Sequence, residues 1–186
     1  TDEFGNKTAR EWGGTKYIKN PQWGGEQDKT HSEYLLVEYS QRVQDPTGAV
    51  TDEVWSDAKY NEFNELVSHK TTKTDFQGTV TVSDVADARY NALGQMISFR
   101  QDTVDDLGNS QALERSDIAY TKVGDMSSYK ETVTDQNGVS IGRERSNIVY
   151  NDKRSAVGYF EKEVTPDGWT LLKDWSATGE DEGYNE

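Results

Sequence analysis

Hard oxygen ligands gather beside a glycine at two places in this sequence, Asp105-Asp106-Leu107-Gly108-Asn109 and Asp135-Gln136-Asn137-Gly138. Carboxylate and amide oxygens around a tight turn are what Ca²⁺ coordinates, which makes Asp105, Asp106 and Asp135 weak calcium candidates. The full spacing of an EF-hand, with its closing bidentate Glu, is absent. An Asp that opens a turn already has a backbone N–H to accept, so the structural role is the favoured one and no firm metal site or cofactor is expected.

Acid–base catalysis needs only two carboxylates in the right geometry. Here the acids recur along the whole chain, and a site made once is not copied at a fixed interval. The two histidines are His31 and His69, there is no cysteine, and no Gly-x-Ser-x-Gly elbow, Gly-rich phosphate loop or His-Glu-x-x-His pair is present. The chain does not read as an enzyme. Flat rings offer another chemistry, because sugars and protein partners stack on them: Trp55, Trp169 and Trp175, with Tyr129 and Tyr159 from the tyrosine columns, are the candidate contacts. The blander reading is that Tyr and Trp cover a sheet that has little else to cover it.

The elements that must position these residues follow from a strict period. Tyr60, Tyr90, Tyr120 and Tyr150 are thirty residues apart, and Gly48, Gly78, Gly108, Gly138 and Gly168 keep the same step. A fixed period of this length is the mark of an array of one supersecondary unit. One half of the unit runs Leu36-Val37-Glu38-Tyr39, and its copies place His69, Phe99, Tyr129 and Tyr159 where Tyr39 stands. A turn follows, opened by Asp45, Asp75, Asp105, Asp135 or Thr165 and closed by the periodic glycine. The other half alternates small or apolar with charged residues up to the tyrosine, as in Ser56-Asp57-Ala58-Lys59-Tyr60, which is the period of a strand with one drier face. A second turn then returns the chain, seen in Tyr90-Asn91-Ala92-Leu93-Gly94 and with Asn64 and Gly124 at the matching place.

Strand, turn, strand, turn predicts an all-β fold, an antiparallel β-meander of tandem two-strand repeats with eight to ten strands. A sandwich needs a continuous apolar inner face. These strands have Ser, Ala, Ile and Tyr on one side and Lys, Arg, Asp and Glu on the other, which favours an elongated, largely single-layer or gently coiled sheet over a compact sandwich or a parallel β-helix. Glu114 with Arg115, and Glu144 with Arg145, read as solvated charged columns. His69 reads as a packed member of the aromatic column.

Composition agrees with a thin core. Leu, Ile, Val, Phe and Met make up 35 of 186 residues and the net charge is -14, with a mean hydropathy of -0.94, close to the regime of disordered chains. Ten Tyr, five Trp and a strict period point instead to a folded array in which each repeat buries a narrow strip against its neighbours. An acidic chain repels phosphates and anionic lipids, so neither nucleic acid nor membrane insertion is expected.

The organisation reads as residues 1–33, a divergent repeat or N-terminal cap outside the register, with the pairs Gly13-Gly14 and Gly24-Gly25 as turns around short strands; residues 34–176, the hairpin repeats; and residues 177–186, an acidic end or truncated repeat. Asn6-Lys7-Thr8 fits a glycosylation sequon. A chain that starts at Thr1 reads as an excised or processed segment. Open sheet edges predict edge-to-edge self-association.

At Tyr90-Asn91-Ala92-Leu93-Gly94-Gln95-Met96-Ile97-Ser98 the unit resembles the tyrosine-aspartate (YD, or rearrangement-hot-spot) repeats of large bacterial secreted proteins, which open on Tyr-Asp and reach a glycine three or four residues later. Tyr60-Asn61 and Tyr150-Asn151 keep the opening but carry Asn64 and Arg154 for the glycine, Tyr120-Thr121 loses the amide, and the period is longer. The resemblance covers the repeat logic of residues 34–175 and no catalytic motif. It implies β-hairpins in a long extracellular or cell-envelope protein of bacterial type, acting as a structural stalk or interaction surface; a glycan- or protein-binding module using the aromatic columns is the alternative. The single-layer sheet of spirochaetal outer-surface lipoproteins is a looser likeness, in architecture only.

Overall fold

The computed structural model describes residues 8–28 and 31–177. The sequon asparagine Asn6 and the acidic end from residue 178 on lie outside the described residues. Every described element is a strand: β1 (Ala9–Lys19), β2 (Tyr34–Gln44), β3 (Val50–Tyr60), β4 (Leu66–Thr74), β5 (Val80–Tyr90), β6 (Met96–Asp105), β7 (Ser110–Tyr120), β8 (Met126–Asp135), β9 (Ser140–Tyr150), β10 (Ala156–Val164) and β11 (Thr170–Ser176). They form one open antiparallel sheet in the order of the chain. The count is one above the expected range, because β1 adds a strand. Two compact units are distinguished within it, one running to Ala88 and taking in Gln101–Ser110, the other made of Arg89–Arg100 and the residues from Gln111 on.

One turn geometry serves both ends of the hairpins. In the first unit, the Asp45 N–H donates to the Ala49 carbonyl at 2.9 Å and the Gly48 N–H to the Asp45 carbonyl at 3.0 Å. The Asp45 carboxylate accepts the N–H groups of Thr47 and Ala49. At the opposite end Asn61 repeats this arrangement, its side-chain oxygen accepting the N–H groups of Phe63 and Glu65. The fourth residue of each such turn takes a positive φ: 91° at Gly48 and 63° at Asn64, 90° at Gly124 and 62° at Arg154. The short polar side chain of Asn suits that region; Arg does not favour it.

A second recurrent feature sits inside the odd-numbered strands. Asp57, Asp87, Asp117 and Asn147 have φ of 56°, 55°, 51° and 53°. The β3–β4 register is Ser56↔Lys70, shifts at Lys59↔Ser68 and is restored at Tyr60↔Leu66. The strand therefore kinks without losing its alternation of faces, and the residue after the kink is buried in three of the four, Ala58, Ala88 and Ile118 being 9%, 5% and 6% exposed. β1 carries the same device. Gly14 has φ of 59° and the β1–β2 register shifts between Gly13↔Ser40 and Tyr17↔Leu36. Gly13-Gly14 is thus a mid-strand kink and not the turn its composition suggests, and Trp12 and Tyr17 occupy the places of Trp55 and Tyr60. Gly24 and Gly25 do lie in the β1–β2 connection. There Asn20, 2% exposed, donates its side-chain amide to the Ser32 carbonyl, and Asp28 accepts the Gly24 N–H.

The core is correspondingly thin. Among the described residues the buried apolar side chains are Ala58, Ala88, Ile118 and Tyr129. Side chains lying over their neighbours on the two faces supply the rest of the cover.

Candidate functional site

Alternation along each strand places one residue column from the even strands and one from the odd strands on the same face. In the first unit those columns meet as a row of rings. Trp12 lies 5.1 Å from Tyr39, Tyr39 is stacked on Trp55 at 5.4 Å with 20° between planes, and Trp55 lies 5.5 Å from His69. Behind them Glu53 accepts hydrogen bonds from the Tyr39 hydroxyl and the Gln41 amide and faces Lys73 at 3.5 Å. Burial, and then the charge of Glu53, raise the Tyr39 phenol above its ordinary value. Burial lowers the His69 imidazole, whose Nδ1 is enclosed without a hydrogen-bond partner.

In the second unit a row of its own alternates rings with cations. The Arg115 guanidinium lies over Phe99 at 5.7 Å and over Tyr129 at 4.4 Å; Arg145 lies over Tyr129 at 5.7 Å and Tyr159 at 4.1 Å. Lys173 stands 5.6 Å from the Tyr159 ring centre, and Trp175 packs 5.1 Å from it. Each guanidinium is also ion-paired, Arg115 with Glu131 and Arg145 with Glu161 at 2.7 Å. Arg143 faces Glu131 at 3.8 Å and bonds Glu163 at 2.8 Å, which extends the network. Arg115 and Arg145 are therefore part of the ring row, their side chains 25% and 21% exposed. The solvated columns expected from the sequence are confined to Glu114 and Glu144, which are exposed. Delocalised guanidinium planes stack on rings, and that attraction draws them down onto the sheet.

Of the residues singled out from the sequence, Tyr129, Tyr159 and Trp175 come together in the second unit, and Trp55 belongs to the row of the first. Trp169 stands apart, 74% exposed beside the β10–β11 turn, where its backbone N–H donates to the Thr165 hydroxyl. Asp105 spends one carboxylate oxygen on the N–H groups of Leu107 and Asn109 and the other on the Asn109 amide; Asp135 bonds Asn137 and Val139. Those bonds hold both carboxyls below the usual range, led by the Asn109 amide for Asp105 and the Val139 N–H for Asp135. Asp106 is exposed, its N–H bonded to the Val80 carbonyl. Among the described residues no group of three His, Asp or Glu is placed to hold a metal ion.

Sequence reasoning missed Trp12, Tyr39 and the two arginines. A signal was present: Trp55, Val85, Arg115, Arg145 and Trp175 are thirty apart, a column that interleaves with Tyr39, His69, Phe99, Tyr129 and Tyr159.

The opposite face is ionic. Lys70 pairs with Asp84 in register, Lys130 with Glu144 and Glu144 with Lys162, and Arg100 lies 3.6 Å from Glu114. No described helix is long and apolar enough to cross a membrane. No protein-family model, curated protein or solved structure matches the chain.

Proposed function

We propose that the chain is a structural repeat segment, a stalk or interaction surface, of a larger extracellular or cell-envelope protein of bacterial type. One observation carries the structural part: the same tyrosine clasp recurs at the repeat step, Tyr60 to the Leu36 carbonyl, Tyr120 to that of Met96 and Tyr150 to that of Met126. A device copied in each unit belongs to a framework, and a framework of this kind is extended by adding units. Location and bacterial type rest on the resemblance to tyrosine-aspartate repeats. Deleting residues 121–150, one period, tests the modular reading: the shortened chain should fold cooperatively with two strands fewer, and a chain that fails to fold counts against it.

A second reading, a binding module for glycan or protein, draws on the ring row, in which Trp12 is 61% exposed. It predicts glycan-array signal lost on Trp55→Ala and Trp175→Ala. Association through sheet edges is a further part of the proposal, with Leu171 and Leu172 of β11 57% and 66% exposed; a strictly monomeric sedimentation profile at high concentration would remove it.

A further inference from the structure

On the ionic face, strands β4, β6 and β8 lay down Lys70, Arg100 and Lys130 at one step, and β5, β7 and β9 answer with Asp84, Glu114 and Glu144. The first repeat departs from this. Thirty residues before Lys70 stands Ser40, and thirty before Asp84 stands Val54. Ser40 pairs with Val54 on β3 and with Gly13 on β1. Ser40 and Val54 thus stand where those later repeats place a lysine or arginine stem and its acid, and Gly13 beside Ser40 adds no side chain. The result is a trough of about 380 Å³ lined by Glu11, Gly13, Ser40, Arg42, Asp52 and Val54.

Its rim is a register row, Glu11↔Arg42↔Asp52. Arg42 is committed within that row, forked onto Asp52 at 2.7 and 3.0 Å, and so does not fill the trough. Glu11 faces Arg42 from β1, and its charge acts on the same guanidinium. The rim therefore carries two carboxylates against one guanidinium, on a chain of net charge -14.

We propose that this trough receives a lysine side chain of a partner protein, its apolar stem over Val54 and Gly13 and its ammonium at Glu11. At Ser40's place three repeats on the chain puts a lysine of its own, Lys130, whose ammonium meets an acid of the preceding strand, Asp117, at 2.8 Å; on β1 the acid available is Glu11. The inference goes beyond the framework reading and does not depend on it, since the hairpins stand whether or not the trough is occupied.

The test is a titration of isotope-labelled protein with Nα-acetyl-lysine methylamide at low salt, followed by amide NMR shifts, beside the norleucine analogue. Saturating shifts at Gly13, Ser40 and Val54 with the lysine probe and not with norleucine are expected. Ser40→Lys, which restores the residue type of the later repeats, should weaken binding by about tenfold or more, and Glu11→Gln should weaken it in an unfilled trough. Shifts spread equally over Asp84, Glu114 and Glu144 would mean diffuse attraction to an acidic surface and overturn the proposal, as would equal binding of norleucine or an unchanged affinity in both variants.

Discussion

The Tyr60 hydroxyl donates to the Leu36 carbonyl at 2.7 Å, across a stretch in which β2 and β3 share no ladder. Their register runs from Gln44↔Val50 to Tyr39↔Trp55 and stops where β3 kinks at Asp57. Beyond the kink β3 stays with β4, and the Leu36 carbonyl is met by a phenol. Burial raises the phenols of Tyr60, Tyr120 and Tyr150 above their ordinary value, as expected for a hydroxyl held against the sheet. The periodic tyrosine and the periodic kink are two parts of one joint.

Tyr60→Phe should therefore cost about 1–2 kcal/mol, since a partly buried carbonyl loses its donor while the ring remains. Urea unfolding of Tyr60→Phe and Tyr150→Phe measures it. A loss below about 0.3 kcal/mol in both would mean that water replaces the phenol without cost and that the clasp is incidental.

The periodic glycines separate conformation from packing. Gly78 and Gly108 have φ of 87° and 83°, and a Cβ at either would meet nothing within 4 Å. Gly78→Ala and Gly108→Ala should each destabilise by about 1 kcal/mol through backbone strain alone. Gly142 is equally uncrowded and its φ is not positive. Gly142→Ala should be neutral or stabilising by up to about 1 kcal/mol. Thermal unfolding of the three variants compares them directly, and a Gly78→Ala protein as stable as the parent would refute the strain.

His69 stands in the aromatic column with burial lowering its pKa from the ordinary 6.5. A base whose folded pKa is depressed binds its proton more readily in the unfolded chain. Its contribution is full at neutral pH and above, and is lost as pH falls below about 6.5 toward the folded pKa. The turn aspartates Asp45, Asp105 and Asp135 and the ion-paired Asp52, all held below their ordinary 3.8, act in the same direction but at lower pH. The difference in stability between the parent and His69→Phe, measured from pH 8 to pH 5, isolates the histidine. The parent should lose stability relative to the variant over that interval, and parallel curves would exclude the effect.

How much was legible in the sequence follows from what repeats. A residue type kept at a fixed step shows itself, and so Tyr60, Gly48 and the turn aspartates were enough for strands, turns and a single meander. The kink was not seen because Asp57, Asp87 and Asp117 are ordinary strand-surface residues by type; only their φ sets them apart. Residues 1–33 read as short strands outside the register, and not as one long strand in it, because Tyr17 precedes Tyr60 by 43 residues, a step broken by the long β1–β2 connection. Comparing Trp12-Gly13-Gly14-Thr15-Lys16-Tyr17 with Trp55-Ser56-Asp57-Ala58-Lys59-Tyr60 would have recovered it. The ring row was half visible, since the even-strand column is aromatic by inspection while the odd-strand column mixes Trp, Val and Arg. Which residues meet across strands depends on register, and the kink shifts it in the β3–β4, β7–β8 and β9–β10 pairs.

Register also decides what Glu131 is worth. It is 8% exposed, ion-paired with Arg115 and facing Arg143 at 3.8 Å, while Arg115 is stacked between Phe99 and Tyr129. Removing the charge by Glu131→Gln leaves the half-buried Arg115 guanidinium without its counter-ion, while Arg143 keeps Glu163, and should cost about 2–4 kcal/mol. Arg115→Met removes the cation but keeps a polarizable chain against both rings, and should cost less by itself. The two substitutions together should recover part of the loss, because the neutral amide at position 131 would then face one guanidinium fewer. A double-mutant cycle on Arg115 and Glu131, read by urea unfolding, is expected to give a coupling of about 1–3 kcal/mol. A coupling near zero would show that the ring stacking holds Arg115 without help from the carboxylate, and would place Glu131 with the exposed pairs of the other face, such as Lys130 with Asp117, that contribute little.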